Sequence, residues 1–172
     1  MKNQQNDYRI DNLFPTPVYI VKRDSNLDSK QEEAEIEEII KNGMHDNILN
    51  SSSDNANIFD TKLKNIKEFC EKHIRTYVKE IINPKEELDF YITQSWLNVT
   101  KPGEGHHIHN HSNSIISGVF YIATCVDDDK ITFTDQSAKV KEMPKIEPKE
   151  FHIWNSRTWL FPVNNNELIL FP

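Results

Sequence analysis

The chain has 172 residues, with 20 Lys and Arg against 27 Asp and Glu, a net charge of −7 with histidine neutral, and 37% hydrophobic residues. That is one compact domain's length of chain, and the 10% aromatics and many isoleucines suffice for a core, which excludes wholesale disorder. The acidic balance and the lack of a Lys/Arg stripe argue against a nucleic-acid partner.

The N-terminus (MKNQQNDYRIDN) is polar, and no apolar run reaches bilayer-spanning length, so the sequence reads as cytoplasmic with no membrane partner. A first strand is predicted over residues 17–21. A helix follows from Ser29, with Glu32 at capping-box spacing and Ile36, Ile39 and Ile40 on one face, and it stops at Asn42-Gly43. Residues 51–55 (Ser-Ser-Ser-Asp-Asn) read as a mobile polar loop. A second helix is predicted from Asp60 as N-cap, with Leu63, Ile66, Phe69, Cys70, Ile74, Tyr77, Val78, Ile81 and Ile82 at three-and-four spacing, until Asn83-Pro84 ends it.

Beyond Pro84 the period becomes two. Residues 90–99 alternate as a strand, and further strands are predicted over 115–124, 131–133, 151–154, 159–161 and 168–171. Helices first and short strands afterwards give an α+β, mainly β class: a helical part over 25–83 and a sandwich or barrel over 88–172, within a single domain spanning 1–172. Cys70 and Cys125 show no CxxC pairing and read as buried small hydrophobes. Neither GxGxxG nor a P-loop occurs, which weakens any nucleotide-cofactor reading.

Four of the seven histidines fall within six positions, as His106, His107, His109 and His111, directly after Pro102-Gly103-Glu104-Gly105. On an extended backbone His107, His109 and His111 project to one side and His106 to the other. Alternate residues stand roughly 6 to 7 Å apart along a strand, which two imidazoles can close onto one ion. Imidazole nitrogen suits a first-row transition metal, whereas calcium and magnesium want oxygen ligands that this segment barely offers. The bland alternative is a solvated histidine-rich loop. His45 and His73, in or beside helices, read as surface or satisfied core residues, and His152, on a late predicted strand, could return to the cluster in a barrel.

The run Trp96-Leu97-Asn98, Gly105, His109-Asn110-His111, Ser114 and Ser117-Gly118-Val119-Phe120-Tyr121 resembles the 2-oxoglutarate/Fe(II)-dependent oxygenases of bacteria and bacteriophages. Leu13-Phe14-Pro15-Thr16-Pro17-Val18-Tyr19 is similar to that family's opening, and Glu167-Leu168-Ile169-Leu170-Phe171-Pro172 to a late strand ending in Phe-Pro. The resemblance implies a double-stranded β-helix (jelly roll, cupin-like) flanked by the two N-terminal helices. It implies Fe(II) and 2-oxoglutarate, a small-molecule cosubstrate, as cofactors, and an enzyme that couples oxidative decarboxylation of this cosubstrate to hydroxylation of a C–H bond in an unidentified primary substrate. Three ligands on one face leave adjacent positions open for cosubstrate and oxygen.

Carried over by position, the resemblance makes His109 the first iron ligand and sets His111 where many relatives carry Asp or Glu. It makes His107 an orienting donor or alternative ligand. Asn98, Ser117 and Tyr121 are implied to face the cosubstrate, with a satisfied sheet role as the alternative for Asn98 and Ser117. In the family the Phe-Pro strand is followed by a distal histidine and a carboxylate-binding arginine; the sequence ends at Pro172, so the resemblance is to a C-terminally shortened member, either inactive through truncation or one in which His152 and Arg157 stand in for that pair. Trp96, Trp154 and Trp159 read as core aromatics. Two other readings stay open. One is a cupin-like metal-binding protein, since Gly103 and His109-x-His111 fit half of the first cupin motif although Ile115 and Ile116 stand where a glutamate is wanted. The other is a catalytically silent jelly-roll binding module. The oxidised substrate and the oligomeric state are not legible in the sequence.

Overall fold

The computed structural model describes residues 8–24, 30–125, 127–135 and 147–172. In chain order these form strand β1 (Tyr19–Lys22), helix α1 (Lys30–Asn42), β2 (Met44–Asn47), β3 (Asn50–Ser53), a 3₁₀ turn (Ile58–Asp60), helix α2 (Lys64–Tyr77), a π turn (Val78–Ile82) and strands β4 (Asn98–Val99), β5 (Ser117–Tyr121), β6 (Lys130–Thr134), β7 (Thr158–Pro162) and β8 (Glu167–Phe171). Three small sheets result, of order β1-β8-β5, β2-β3-β4 and β6-β7. The α-carbon contacts divide the chain into two units, residues 1–20, 28–119 and 169–172 in the first and 21–27 and 120–168 in the second.

The first unit is built on α2. Its residues Ile66, Cys70 and Tyr77 are buried on one face, with Leu63 before it and Val78 after it, as three-and-four spacing demands. Ile81 and Ile82, expected on the same stripe, are exposed, because the π turn underwinds the helix there, shifting the register, and ends at Asn83, whose φ is 46°. The predicted Asp60 cap does not form. Asp60 sits in the 3₁₀ turn, the helix opens at Lys64 after Leu63 in the left-handed region, and the Leu63 amide donates to the Glu35 carboxylate of α1. That bond is the main reason the Glu35 pKa is lowered: the amide stabilises the ionised form, with Gln31 and Lys62 assisting. Ser29, the predicted cap of α1, lies outside the described residues.

Residues 51–55, predicted to be a polar loop, instead supply a strand. β3 pairs antiparallel with β2, Met44 opposite Ser53, and with β4, Ser52 opposite Asn98. Ser52 and Ser53 are buried. The Ser53 hydroxyl accepts the Leu97 amide at 3.0 Å and donates to the Asn55 carbonyl at 2.9 Å, while its own amide donates to the Leu97 carbonyl at 2.8 Å. Serine is tolerated inside because each hydroxyl is satisfied. The predicted helical part therefore carries a β hairpin as well, and of the strand predicted over 90–99 only Asn98–Val99 forms, with an isolated parallel bridge between Asn57 and Ser95.

In the second unit β6 and β7 pair antiparallel from Lys130 opposite Pro162 to Thr134 opposite Thr158, and Phe133 meets Phe161 edge-to-face with centroids 5.9 Å apart. The Arg23 guanidinium lies 5.5 Å over the Phe120 ring and its residue is buried. Residues 151–154, predicted as a strand, form a turn held by the Asn155 and Ser156 amides donating to the His152 carbonyl. Cys70 is buried as expected; Cys125 is exposed, because it lies in the tight acidic turn, where the Asp128 and Asp129 amides donate to its carbonyl. Its thiol pKa is raised by Asp128, which accepts its S–H, and by the neighbouring carboxylates. No helix among the described residues is long and apolar enough to cross a membrane.

Candidate metal centre

The histidine segment hangs between β4 and β5. Lys101-Pro102-Gly103-Glu104 starts it as a turn: proline presets the second position, Gly103 takes φ 85° at the third, and the Glu104 amide donates to the Lys101 carbonyl at 2.9 Å. The Glu104 carboxylate accepts the Lys101 amide in return, at 2.9 Å. The Gly105 amide then donates to the Leu49 carbonyl at 3.1 Å, fastening the segment to the β2–β3 turn. At its far side Ser114 donates to the Ile116 carbonyl at 2.7 Å before β5 begins. Between those anchors residues 105–111 follow no regular period.

Four imidazoles gather there around His109. Its ring centroid lies 4.7 Å from that of His106, 5.0 Å from His107 and 4.8 Å from His111. The ligating atoms of His106, His107 and His109 lie within 4.8 Å of one another, and the Nε2 atoms of His109 and His111 are 3.2 Å apart. Two nitrogens each about 2.1 Å from one ion stand about 3.0 Å apart at a right angle and about 3.4 Å apart at the tetrahedral angle. The His109–His111 pair already has the spacing of a chelate.

The backbone sets which nitrogen is available. The His107 carbonyl, which can only accept, lies 2.8 Å from His109 Nδ1 and 3.4 Å from His106 Nδ1, so both rings carry their proton on Nδ1 and keep an Nε2 lone pair. Desolvation, reinforced by the neighbouring imidazoles, lowers the His111 pKa; desolvation also lowers that of His106 against the opposing pull of the His107 carbonyl. His106 and His111 thus favour the neutral form that a metal requires. An all-imidazole donor set fits iron and its first-row neighbours and does not fit calcium or magnesium.

The strand alternation expected over this segment would have separated His106 from its neighbours. Because the backbone is irregular, His106 instead stacks on His107 with centroids 5.1 Å apart and joins the group. Its membership in the same run of four was the signal for it; strand periodicity was the wrong filter. Trp96, expected in the core, is 39% exposed with its ring 5.7 Å from that of His111. Trp154 and Trp159 are exposed as well.

The other predicted site residues are placed as follows. Asn98 Oδ1 accepts the Ser52 hydroxyl at 2.7 Å across the β3–β4 ladder, and Ser117 opens β5 half-buried. Tyr121 belongs to the second unit, where burial, with the Glu167 and Asp129 carboxylates adding to it, pushes its phenol up to about 12 and keeps it a donor at neutral pH. Arg157 and His152 lie in that unit too and are exposed. The Arg157 carbonyl accepts the Asp135 amide at 2.8 Å, and His152 Nδ1 accepts the Trp154 amide at 3.2 Å. His45 pairs with Asp54 at 2.8 Å, and His73 Nδ1 with the Tyr19 hydroxyl at 2.8 Å.

Residues 94–172, a little under half of the chain, match the model of a family described as "Putative 2OG-Fe(II) oxygenase". The match takes in the whole histidine segment and β4 to β8, and it implies Fe(II) and 2-oxoglutarate as cofactors. No curated protein and no solved structure matches the chain.

Proposed function

We propose that the chain is an Fe(II)- and 2-oxoglutarate-dependent oxygenase of hydroxylase type, a single domain over residues 1–172 whose 88–172 part is of the double-stranded β-helix class. His109 and His111 are two of its iron ligands, and His106 or His107 supplies the third. The observation that carries this reading is the 3.2 Å approach of the His109 and His111 Nε2 atoms inside the stretch that matches the oxygenase family. Fe(II), when bound, supplies a redox-active Lewis acid at which decarboxylation of 2-oxoglutarate is coupled to oxidation of a substrate C–H bond.

The chain's own residues orient and protect that centre. The His107 carbonyl holds the His109 Nδ1 proton and so aims its Nε2 lone pair. Trp96 covers one side of His111. For the cosubstrate, the Asn98 amide and the Ser117 hydroxyl are the donors of the first unit.

The test is an anaerobic titration with Fe(II) and then 2-oxoglutarate, read by the visible metal-to-ligand charge-transfer band of the chelated cosubstrate. The band is expected in the wild-type chain and in His45→Ala, and absent in His109→Ala and His111→Ala. Equal iron content in all three variants would overturn the ligand assignment. Iron binding without the band would point to a cupin-like metal protein, and binding of neither to a silent module.

A further inference from the structure

Three stretches of the first unit converge on the histidines, and none carries an Asp, Glu, Lys or Arg: residues 47–53, 90–100 and 105–119, in a chain that is 27% charged. Their convergence is structural. β3 and β4 are paired, the Leu49 carbonyl accepts the Gly105 amide, and Trp96 lies against His111. The same stretches turn apolar side chains to solvent beside the ligands: Leu49 is 59% exposed, Ile108, between two of the histidines, 68%, and Trp96 39%. Away from the metal ligands these stretches offer a charged substrate group no side chain of opposite charge, whereas an apolar group gains by covering the exposed apolar side chains.

From this we infer that the metal centre oxidises an uncharged, apolar substrate, whose hydrocarbon part rests on Leu49, Ile108 and Trp96 beside His111. The inference rests on the metal-site reading above and adds the substrate class to it. An anionic substrate such as a nucleotide or an acidic peptide finds no Lys or Arg in these stretches and meets a chain of net charge −7. Leu49 and Ile108 are specificity determinants that leave metal binding alone, since neither offers a ligating atom.

The experiment uses the full chain loaded with Cu(II), and Nile red, a neutral apolar dye, as the probe. The dye is expected to bind with blue-shifted emission, and Cu(II) is expected to quench the bound dye in the wild type and not in His109→Ala. Leu49→Lys and Ile108→Lys should each weaken dye binding at least fivefold with Cu(II) affinity unchanged, while Leu160→Lys, a comparably exposed position in the second unit, leaves both unchanged. Unaltered dye affinity in both cluster variants, or no quenching by Cu(II), would overturn the proposal. The readout needs neither iron nor 2-oxoglutarate. A quenched dye without the Fe(II)/2-oxoglutarate band would sink the oxygenase reading and leave the apolar seat standing; the band with an unquenched dye would do the reverse.

Discussion

Residues 105–111 and the turn at 150–156 both present histidine at the surface, and they differ in the direction of one hydrogen bond. At His109 the Nδ1 atom donates to a main-chain carbonyl, leaving Nε2 with its lone pair. At His152 the Nδ1 atom accepts a main-chain amide, and Nε2 lies 3.2 Å from the Asn155 side-chain nitrogen, so both ring nitrogens are engaged within the turn. The same side chain is left with a lone pair on Nε2 in one region and braces a turn in the other. Ligand competence is therefore a property of the local backbone as much as of the residue type.

The largest expected effect breaks the first half of this comparison. His109→Ala and His111→Ala should each lower Co(II) affinity at least about 100-fold, measured by calorimetry, because each removes half of the 3.2 Å chelate. His106→Ala should cost about tenfold, since its lone pair is directed by a longer bond to the same carbonyl, 3.4 Å against 2.8 Å. An unchanged affinity would remove His106 from the ligand set.

The sheet that anchors the segment is tested by Ser53→Ala, which strands the buried Leu97 amide and should cost about 1–3 kcal/mol in chemical denaturation. A smaller effect is expected from acid. His73 has its pKa lowered chiefly by desolvation, with Lys72 adding to it, and in the metal-free chain His106 and His111 are lowered too. A histidine whose folded pKa lies below its unfolded value of 6.5 binds more protons when unfolded. Its contribution is present in full above pH 6.5 and is lost as pH falls from there through the folded pKa. The thermal midpoint should drop over that interval, and His73→Gln should flatten part of the slope; a midpoint that rises on acidification would contradict the shifts. The smallest effect completes the comparison: His152→Ala should leave Co(II) affinity within about twofold of wild type.

The sequence by itself determined what depends on short-range pattern. The α2 stripe of Ile66, Cys70 and Tyr77, the stop of α1 at Asn42, the strands at 117–121, 130–134 and 167–171, and the dense histidine run were all legible, because apolar periodicity and ligand chemistry are properties of neighbouring residues. Tertiary structure decided the rest. Ser51, Ser52 and Ser53 look like a loop until β2, β4 and the Leu97 amide satisfy their polar groups and make a strand of them. Helix α2 starts at Lys64 because the Glu35 carboxylate, 28 positions away, accepts the Leu63 amide that the predicted Asp60 cap does not reach. His106 joins the cluster, and Trp96 leaves the core for its side, because a backbone held only at Gly105 and Ser114 is free of strand alternation between them. Which residues can ligate was written in composition; which ring nitrogen keeps its lone pair was fixed by a carbonyl oxygen, a group that every residue carries and no sequence pattern reveals.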